Sequence, residues 1–211
     1  MKRYTTVKKF LSVLNNNDIA IFVGQNLCEE AFKYDREGSF YLLDVNELHS
    51  SLALGVAMCT DKRVFVFCND GDFLREIGSA AQMAVSRCSN IFYVVLATGF
   101  YQFAGGQPTI FNEFPASKTV FANLGFLVND YINYFEEGKA GMKSLKVYLE
   151  RIKGPMAIIM RLEKGIRKNV REEISYSKQE LTDRIMKFIS DESLGTSLYI
   201  KPSNLFSNME G

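Results

Sequence analysis

Read as a pattern of apolar and polar positions, the chain alternates two periods. Val7, Phe10, Leu11 and Leu14 recur at helical spacing and predict an amphipathic helix over 4–14, broken by Asn15-Asn16-Asn17-Asp18. Ile19 to Val23 is then a continuous apolar run, the pattern of a strand buried on both faces, and Gly24 closes it. A helix capped by Asn26 is expected through Lys33, a second strand over 40–43, and a small-residue helix over 48–58. Val64 to Phe67 and Ile91 to Leu96 are two further buried runs. Between them a helix is predicted over 73–87, with Ile77, Ala80, Ala81, Ala84 and Val85 on its apolar face and Gly78 and Ser79 allowing close packing on the sheet. A long aromatic segment follows over 100–117, and connections of that length inside a compact domain are usually functional.

Further on, the pattern predicts a strand over 118–121, helices over 124–135 and 142–153, and a last buried strand over 156–161. Ser177-Lys178-Gln179-Glu180 reads as a capping box that opens a final helix through Ile189. Alternating strands and helices predict a three-layer α/β/α fold with a mainly parallel six-stranded sheet. One domain is expected over 1–190, followed by a loosely docked tail over 191–211.

Composition narrows the classes. The 211 residues are 47% hydrophobic and 23% charged, ordinary for a globular chain large enough to bury a core. A net charge of +1 gives no electrostatic case for nucleic acid. No apolar run approaches a membrane span, and the N-terminus lacks an export signal, so a cytoplasmic location is expected. The four cysteines have no C-x-x-C pairing, and His49 is the single histidine, so a zinc set is not expected.

The candidate chemistry gathers at two strand ends. The run over 64–67 delivers Asn69-Asp70-Gly71-Asp72, and the run over 91–96 delivers Ala97-Thr98-Gly99-Phe100, followed by Gly105-Gly106-Gln107-Pro108-Thr109. In open α/β sheets ligands bind outside the carboxyl ends of strands. A carboxylate, a glycine that admits close backbone approach, and amides at a helix start suit a metal-diphosphate.

These stretches, with Ser50-Ser51-Leu52-Ala53-Leu54-Gly55-Val56-Ala57 before them, resemble the diphosphate-binding (PP) domain of thiamine-diphosphate enzymes. Among these the similarity is to phosphonopyruvate and sulfopyruvate decarboxylases, and it runs over about residues 3–190. The resemblance implies that Asp70, Thr98 and the carbonyl of Phe100 ligate Mg²⁺. It implies that Ser50, Asp70, Gly71, the amides of Asp72 and Phe73, Thr98, Phe100 and Gly105 bind thiamine diphosphate. His49 and Gln107 are candidates for a catalytic contact, and one of Val45, Asn46 or Leu48 for supporting the bent cofactor. Two positions depart from the family: Asn69 stands for a glycine, and Thr98 for an asparagine that ligates the metal.

A chain of this length has room for one of the two domains that flank the cofactor in such enzymes. The resemblance therefore implies a PP subunit of a two-subunit 2-oxo acid decarboxylase or carboligase. It would need a separate pyrimidine-binding (Pyr) subunit, in a heterodimer or heterotetramer, to supply the activating glutamate. The alternative is a non-catalytic scaffold or regulatory relic with a degraded metal site. The β subunit of a 2-oxo acid:ferredoxin oxidoreductase is a further alternative, disfavoured because the cysteines lack cluster spacing. The aromatic group Phe100, Tyr101, Phe103, Phe111 and Phe114 is either a satellite core or a subunit interface. The basic residues Lys164, Arg167, Lys168 and Arg171 are either a solvated loop or a contact for an anionic substrate or partner.

Overall fold

The computed structural model describes residues 2–43, 47–102, 104–112, 116–130, 138–164 and 173–190. Six strands, β1 (Ile19–Val23), β2 (Ser39–Leu42), β3 (Val64–Asn69), β4 (Ile91–Ala97), β5 (Leu127–Asp130) and β6 (Met156–Arg161), form one sheet in the order β2-β1-β3-β4-β6-β5. Every pairing is parallel. The central strands are buried along their whole length, which is why their sequences read as unbroken apolar runs.

Among the described residues eight α-helices flank the sheet: α1 (Arg3–Leu11), α2 (Gln25–Phe32), α3 (His49–Cys59), α4 (Asp70–Arg75), α5 (Ile77–Val85), α6 (Ala116–Leu124), α7 (Gly138–Arg151) and α8 (Lys178–Ile189). Aromatic contacts sort the two faces. On one, Phe10 of α1 meets the rings of Phe65 and Phe67 edge-on at 5.9 and 5.1 Å. Phe22 stacks between its cross-strand neighbours Tyr41 and Phe67 at 5.6 and 4.9 Å. On the other face, Tyr93 of β4 packs against Phe73 of α4, Phe121 of α6 and Phe126. The direction of the chain along the sheet reverses between β1 and β3, so the turns leaving those strands diverge to opposite faces and open a crevice at their carboxyl ends.

Several expectations are met closely. Strands 19–23 and 156–161 have the bounds read from the sequence. Ser177 caps α8 in a reciprocal box with Glu180, whose amide lies 3.2 Å from the Ser177 hydroxyl. Asn26 is not a cap; it lies inside α2, whose N-cap is Gly24. The helix expected over 73–87 is two helices, broken at Glu76, and Gly78 is exposed rather than packed on the sheet.

The main correction concerns the fifth strand. Residues 118–121 lie in helix α6, and the strand is Leu127–Asp130, within the stretch expected to be helical. The β-leaning run Lys118-Thr119-Val120-Phe121 is overridden by tertiary packing: as a helix it buries Phe121 among Phe73, Phe111 and Phe126. Gly125 then ends that helix with φ of +101°, and the Phe126 amide bonds back to the Phe121 carbonyl at 3.1 Å. The remainder of the expected 124–135 helix, residues 131–135, lies outside the described residues, as do the 191–211 tail and Arg167, Lys168 and Arg171 of the basic loop.

Candidate functional site

β3 and β4 are adjacent and in register, with Asn69 opposite Leu96, so their end turns meet above the carboxyl edge of the sheet. Asn69 closes β3 and is the N-cap of α4, and Asp70 follows, fully buried. Its carboxylate reaches across to the β4 turn. One oxygen accepts from the Thr98 amide at 3.1 Å and the Thr98 hydroxyl at 3.3 Å. The other accepts from the Gly99 amide at 3.0 Å and the Thr109 hydroxyl at 2.5 Å. Burial pushes the Asp70 carboxyl above its usual range, and the bonds from Thr109 and Thr98 pull it back. Thr109, which in the sequence is only one member of a loop motif, makes the shortest of these bonds.

The loop after β4 folds back on itself. Phe100 and Pro108 form an antiparallel bridge, the Tyr101 amide bonds to the Gln107 carbonyl at 2.9 Å, and the Thr109 amide to the Gly99 carbonyl at 2.8 Å. This closure carries Thr109 under Asp70 and Tyr101 over Gly71. A Cβ built on Gly71 would lie 2.9 Å from Tyr101 Cδ1, so the glycine is required by that aromatic contact.

Three oxygens stand close together here. Thr98 Oγ1 is 3.3 Å from Asp70 Oδ1 and 3.4 Å from the Phe100 carbonyl oxygen. Those distances are long for hydroxyl hydrogen bonds. They are near the roughly 3.0 Å that separates adjacent oxygens in an octahedral Mg²⁺ shell with bonds of about 2.1 Å. In donor chemistry and spacing the set suits a hard cation. It contains one charged ligand, and among the described residues no cluster of three His, Cys, Asp or Glu side chains offers another metal site.

Chain neighbours of the three residues, though not Asp70, Thr98 or Phe100 themselves, line a cavity of about 290 Å³. Asn69, Gly71, Asp72 and Arg75 line one side; Tyr101, Gln102 and Ala104 line the other. The Asp72 carboxylate is turned onto Asn69, accepting from Nδ2 at 2.8 Å, and burial raises its pKa. Beneath the cavity runs Arg3 of α1, which is 1% exposed. Its Nε and Nη2 donate to the two oxygens of Glu30 at 2.9 Å each, and Nη1 donates to Asn69 Oδ1 at 2.9 Å and to Gln102 Oε1. Neither Arg3 nor Glu30 carried a sequence signal: an arginine in a short basic N-terminal run reads as solvated surface.

The structure brings together Asp70, Gly71, Asp72, Thr98 and Phe100 from the sequence-derived set. The Phe73 amide lies in the first turn of α4 beside them, while its ring is buried between Tyr93 and Phe121. Ser50 is fully buried, with its amide 2.5 Å from Glu76 Oε1 and its hydroxyl 3.1 Å from the Tyr93 hydroxyl. His49 is likewise buried, with Nε2 2.5 Å from the Tyr93 hydroxyl and Nδ1 3.4 Å from Glu76 Oε1. Gly105 and Gln107 are exposed on the loop, and Gln107 folds over Gly105. Lys164 sits at the same edge, its Nζ 3.6 Å from the centre of the Phe100 ring. Val45, Asn46, Phe103 and Phe114 lie outside the described residues; Leu48 is 58% exposed.

Comparison with known proteins points to the same chemistry. Residues 47–147 match the family described as "Thiamine pyrophosphate enzyme, C-terminal TPP binding domain". The chain is 29% identical over 109 residues to the sulfopyruvate decarboxylase subunit beta of Methanocaldococcus jannaschii, covering 51% of this chain and 58% of that one. It is 33% identical over 76 residues to the phosphonopyruvate decarboxylase of Streptomyces hygroscopicus, 36% of this chain and 19% of that one. The match thus spans less than two thirds of these relatives' length. In fold it is similar to the 2-oxoglutarate:ferredoxin oxidoreductase from Magnetococcus marinus, with a TM-score of 0.59 and 14% identity over 90% of this chain and 75% of that one. At that identity the likeness concerns the sheet architecture. The chain therefore resembles the diphosphate-binding domain of thiamine-diphosphate enzymes in sequence across its site and in fold across its sheet.

Proposed function

We propose that this chain is the PP subunit of a two-subunit, Mg²⁺-dependent thiamine-diphosphate enzyme that acts on a 2-oxo acid, as a decarboxylase or carboligase. The observation that carries the reading is the group of oxygens from Asp70, Thr98 and Phe100 at the ends of β3 and β4, inside the matched residues, with their chain neighbours Asn69, Gly71 and Tyr101 lining a cavity. Thiamine diphosphate, when bound, supplies the electron sink that takes up the carbanion left by decarboxylation. This chain's part is to hold and orient. Asp70, Thr98 and the Phe100 carbonyl would take the metal, and the backbone at Gly71, Asp72 and Phe73 would face the diphosphate. Gly105 and Gln107 would face the partner or the substrate. Asp72 is held off the anion by its bond to Asn69. His49 and Ser50 serve the site at one remove, by fixing the start of α3 through Tyr93 and Glu76.

The glutamate that activates the aminopyrimidine would come from a separate Pyr subunit in the same compartment, the cytoplasm. Among the described residues no helix is long and apolar enough to cross a membrane. Calorimetric titration of the purified chain with thiamine diphosphate and Mg²⁺ should show weak, metal-dependent binding without turnover. Adding a Pyr subunit should restore release of CO₂ from a 2-oxo acid, or carboligation. Absence of cofactor binding with any partner would overturn the reading.

A second reading has one observation in its favour. All four donors around Asp70 belong to the chain itself, so the carboxylate has a purely structural use. On that reading the domain is a scaffold, and the titration would show no metal-dependent response.

A further inference from the structure

We infer that Arg3 is a positioning residue that fixes the donor–acceptor sense of both turns of the candidate cofactor site, a role that rests on the function proposed above. An arginine guanidinium can only donate. Nη1 faces the side-chain amides of Asn69 and Gln102 at once, so each amide must present its oxygen to Arg3 and its NH₂ group away from it. The NH₂ of Asn69 then points at Asp72 Oδ2, 2.8 Å away. The NH₂ of Gln102 points at Thr98 Oγ1, 3.4 Å away. Thr98 Oγ1 therefore accepts from Gln102, and its own proton is directed to Asp70 Oδ1 or the Phe100 carbonyl. Two hydrogen-bonded arms leave one guanidinium: one ends on the Asp72 carboxylate, the other on the Thr98 hydroxyl beside Asp70 and the Phe100 carbonyl.

The arrangement gives physical sense to two unusual residues together. Asn69, where the resembled family has glycine, ties Arg3 to Asp72. Thr98, where that family has asparagine, is short, and Gln102 supplies the amide that holds its hydroxyl in place. The Arg3 charge is balanced by Glu30 through two parallel bonds, so the guanidinium is locked in direction and unavailable as a free counter-charge. Arg3 thus acts through Asn69 and Gln102, two residues that line the cavity, and donates to none of the candidate metal oxygens.

The discriminating variant is Gln102→Glu. Its carboxylate still accepts from Arg3, so the clamp and the fold persist, but it cannot donate to Thr98, and the sense of that arm reverses. The expected result is an unchanged or slightly raised melting temperature together with at least a tenfold loss of affinity for Mg²⁺-thiamine diphosphate. Mn²⁺, used as a paramagnetic probe, should broaden the Asp70 and Thr98 amide signals less in the variant than in the wild type. Arg3→Lys, which cannot bridge all three partners, is read separately by the side-chain NH₂ resonances of Asn69 and Gln102. These should be dispersed and slow to exchange in the wild type, and both should collapse in a variant that remains folded by circular dichroism. Unchanged NH₂ signals in Arg3→Lys, or equal cofactor affinity in Gln102→Glu, would overturn the inference. If the wild type binds no cofactor, the proposed function fails, and the NH₂ signals still decide what Arg3 does.

Discussion

The Thr109 hydroxyl lies 2.5 Å from Asp70 Oδ2, joining the start of α4 to the far end of the loop that follows β4. Both residues are buried. Thr109→Val keeps the shape and removes the donor, leaving Asp70 Oδ2 with the Gly99 amide alone. The expected cost is about 1.5–3 kcal/mol, as for hydrogen bonds to charged groups. Urea unfolding at neutral pH measures it, and a change below about 0.5 kcal/mol would show that the bond is weak.

Away from the site, Asp18 precedes β1 and is almost fully buried. It pairs with Arg63 at 2.6 and 2.8 Å and accepts the Asn15 amide at 2.7 Å. Arg63 is partly exposed, so water relieves some of the penalty of leaving it unpaired. Asp18→Ala should destabilise by on the order of 2–3 kcal/mol, below the range for a wholly buried pair. Denaturant midpoints of Asp18→Ala, Arg63→Ala and the double variant would show whether the two side chains couple.

Two glycines should respond with opposite sign. A Cβ on Gly154 would lie 2.1 Å from the Ile91 carbonyl oxygen, backbone against backbone, so neither side can yield. Gly154→Ala should cost at least the upper end of the roughly 1–3 kcal/mol of overpacking. Gly55 is in the interior of α3 with nothing within 4 Å of a built Cβ. Gly55→Ala should therefore stabilise by about 0.5–1 kcal/mol. Thermal melts of the two variants side by side provide the check.

Glu76 gives a pH dependence. Burial raises its pKa above the usual 4.5, Asp72 adds repulsion, and hydrogen bonds with Ser50 and His49 partly offset the shift. Its Oε2 has no hydrogen-bond partner among the described residues, while His49, Ser50, Tyr93 and Cys68 lie in the same buried group. A raised folded pKa means that the folded state holds this proton more tightly than the unfolded one. The stabilisation is fully present below pH 4.5 and is lost as pH rises through the folded value. Glu76→Gln removes that slope. The stability of the wild type relative to the variant should fall as pH rises above 4.5 and level off beyond the folded value, as followed by denaturant unfolding over a pH series. A difference independent of pH would mean that Glu76 does not titrate in the window.

The chain itself marked the central strands and the turns at which a candidate site lies. Strands buried on both faces must be apolar throughout, so 19–23, 64–67, 91–96 and 156–161 were legible as runs without any partner in view. Asp70 and Thr98 were legible because ligand-bearing turns follow such runs at the carboxyl edge. Tertiary structure alone decided what has no local period. Residues 118–121 became helix because Phe121 gains more by entering the Phe73 cluster than its neighbours lose in strand propensity. His49 and Ser50 turned inward because a buried tyrosine from a distant strand waited for them. Arg3, Glu30, Asn69 and Gln102 meet only after α1, α2, β3 and the β4 loop converge. Hydrogen bonds between residues so far apart leave no trace in spacing, whereas hydrophobic burial imprints its period on every element that it covers.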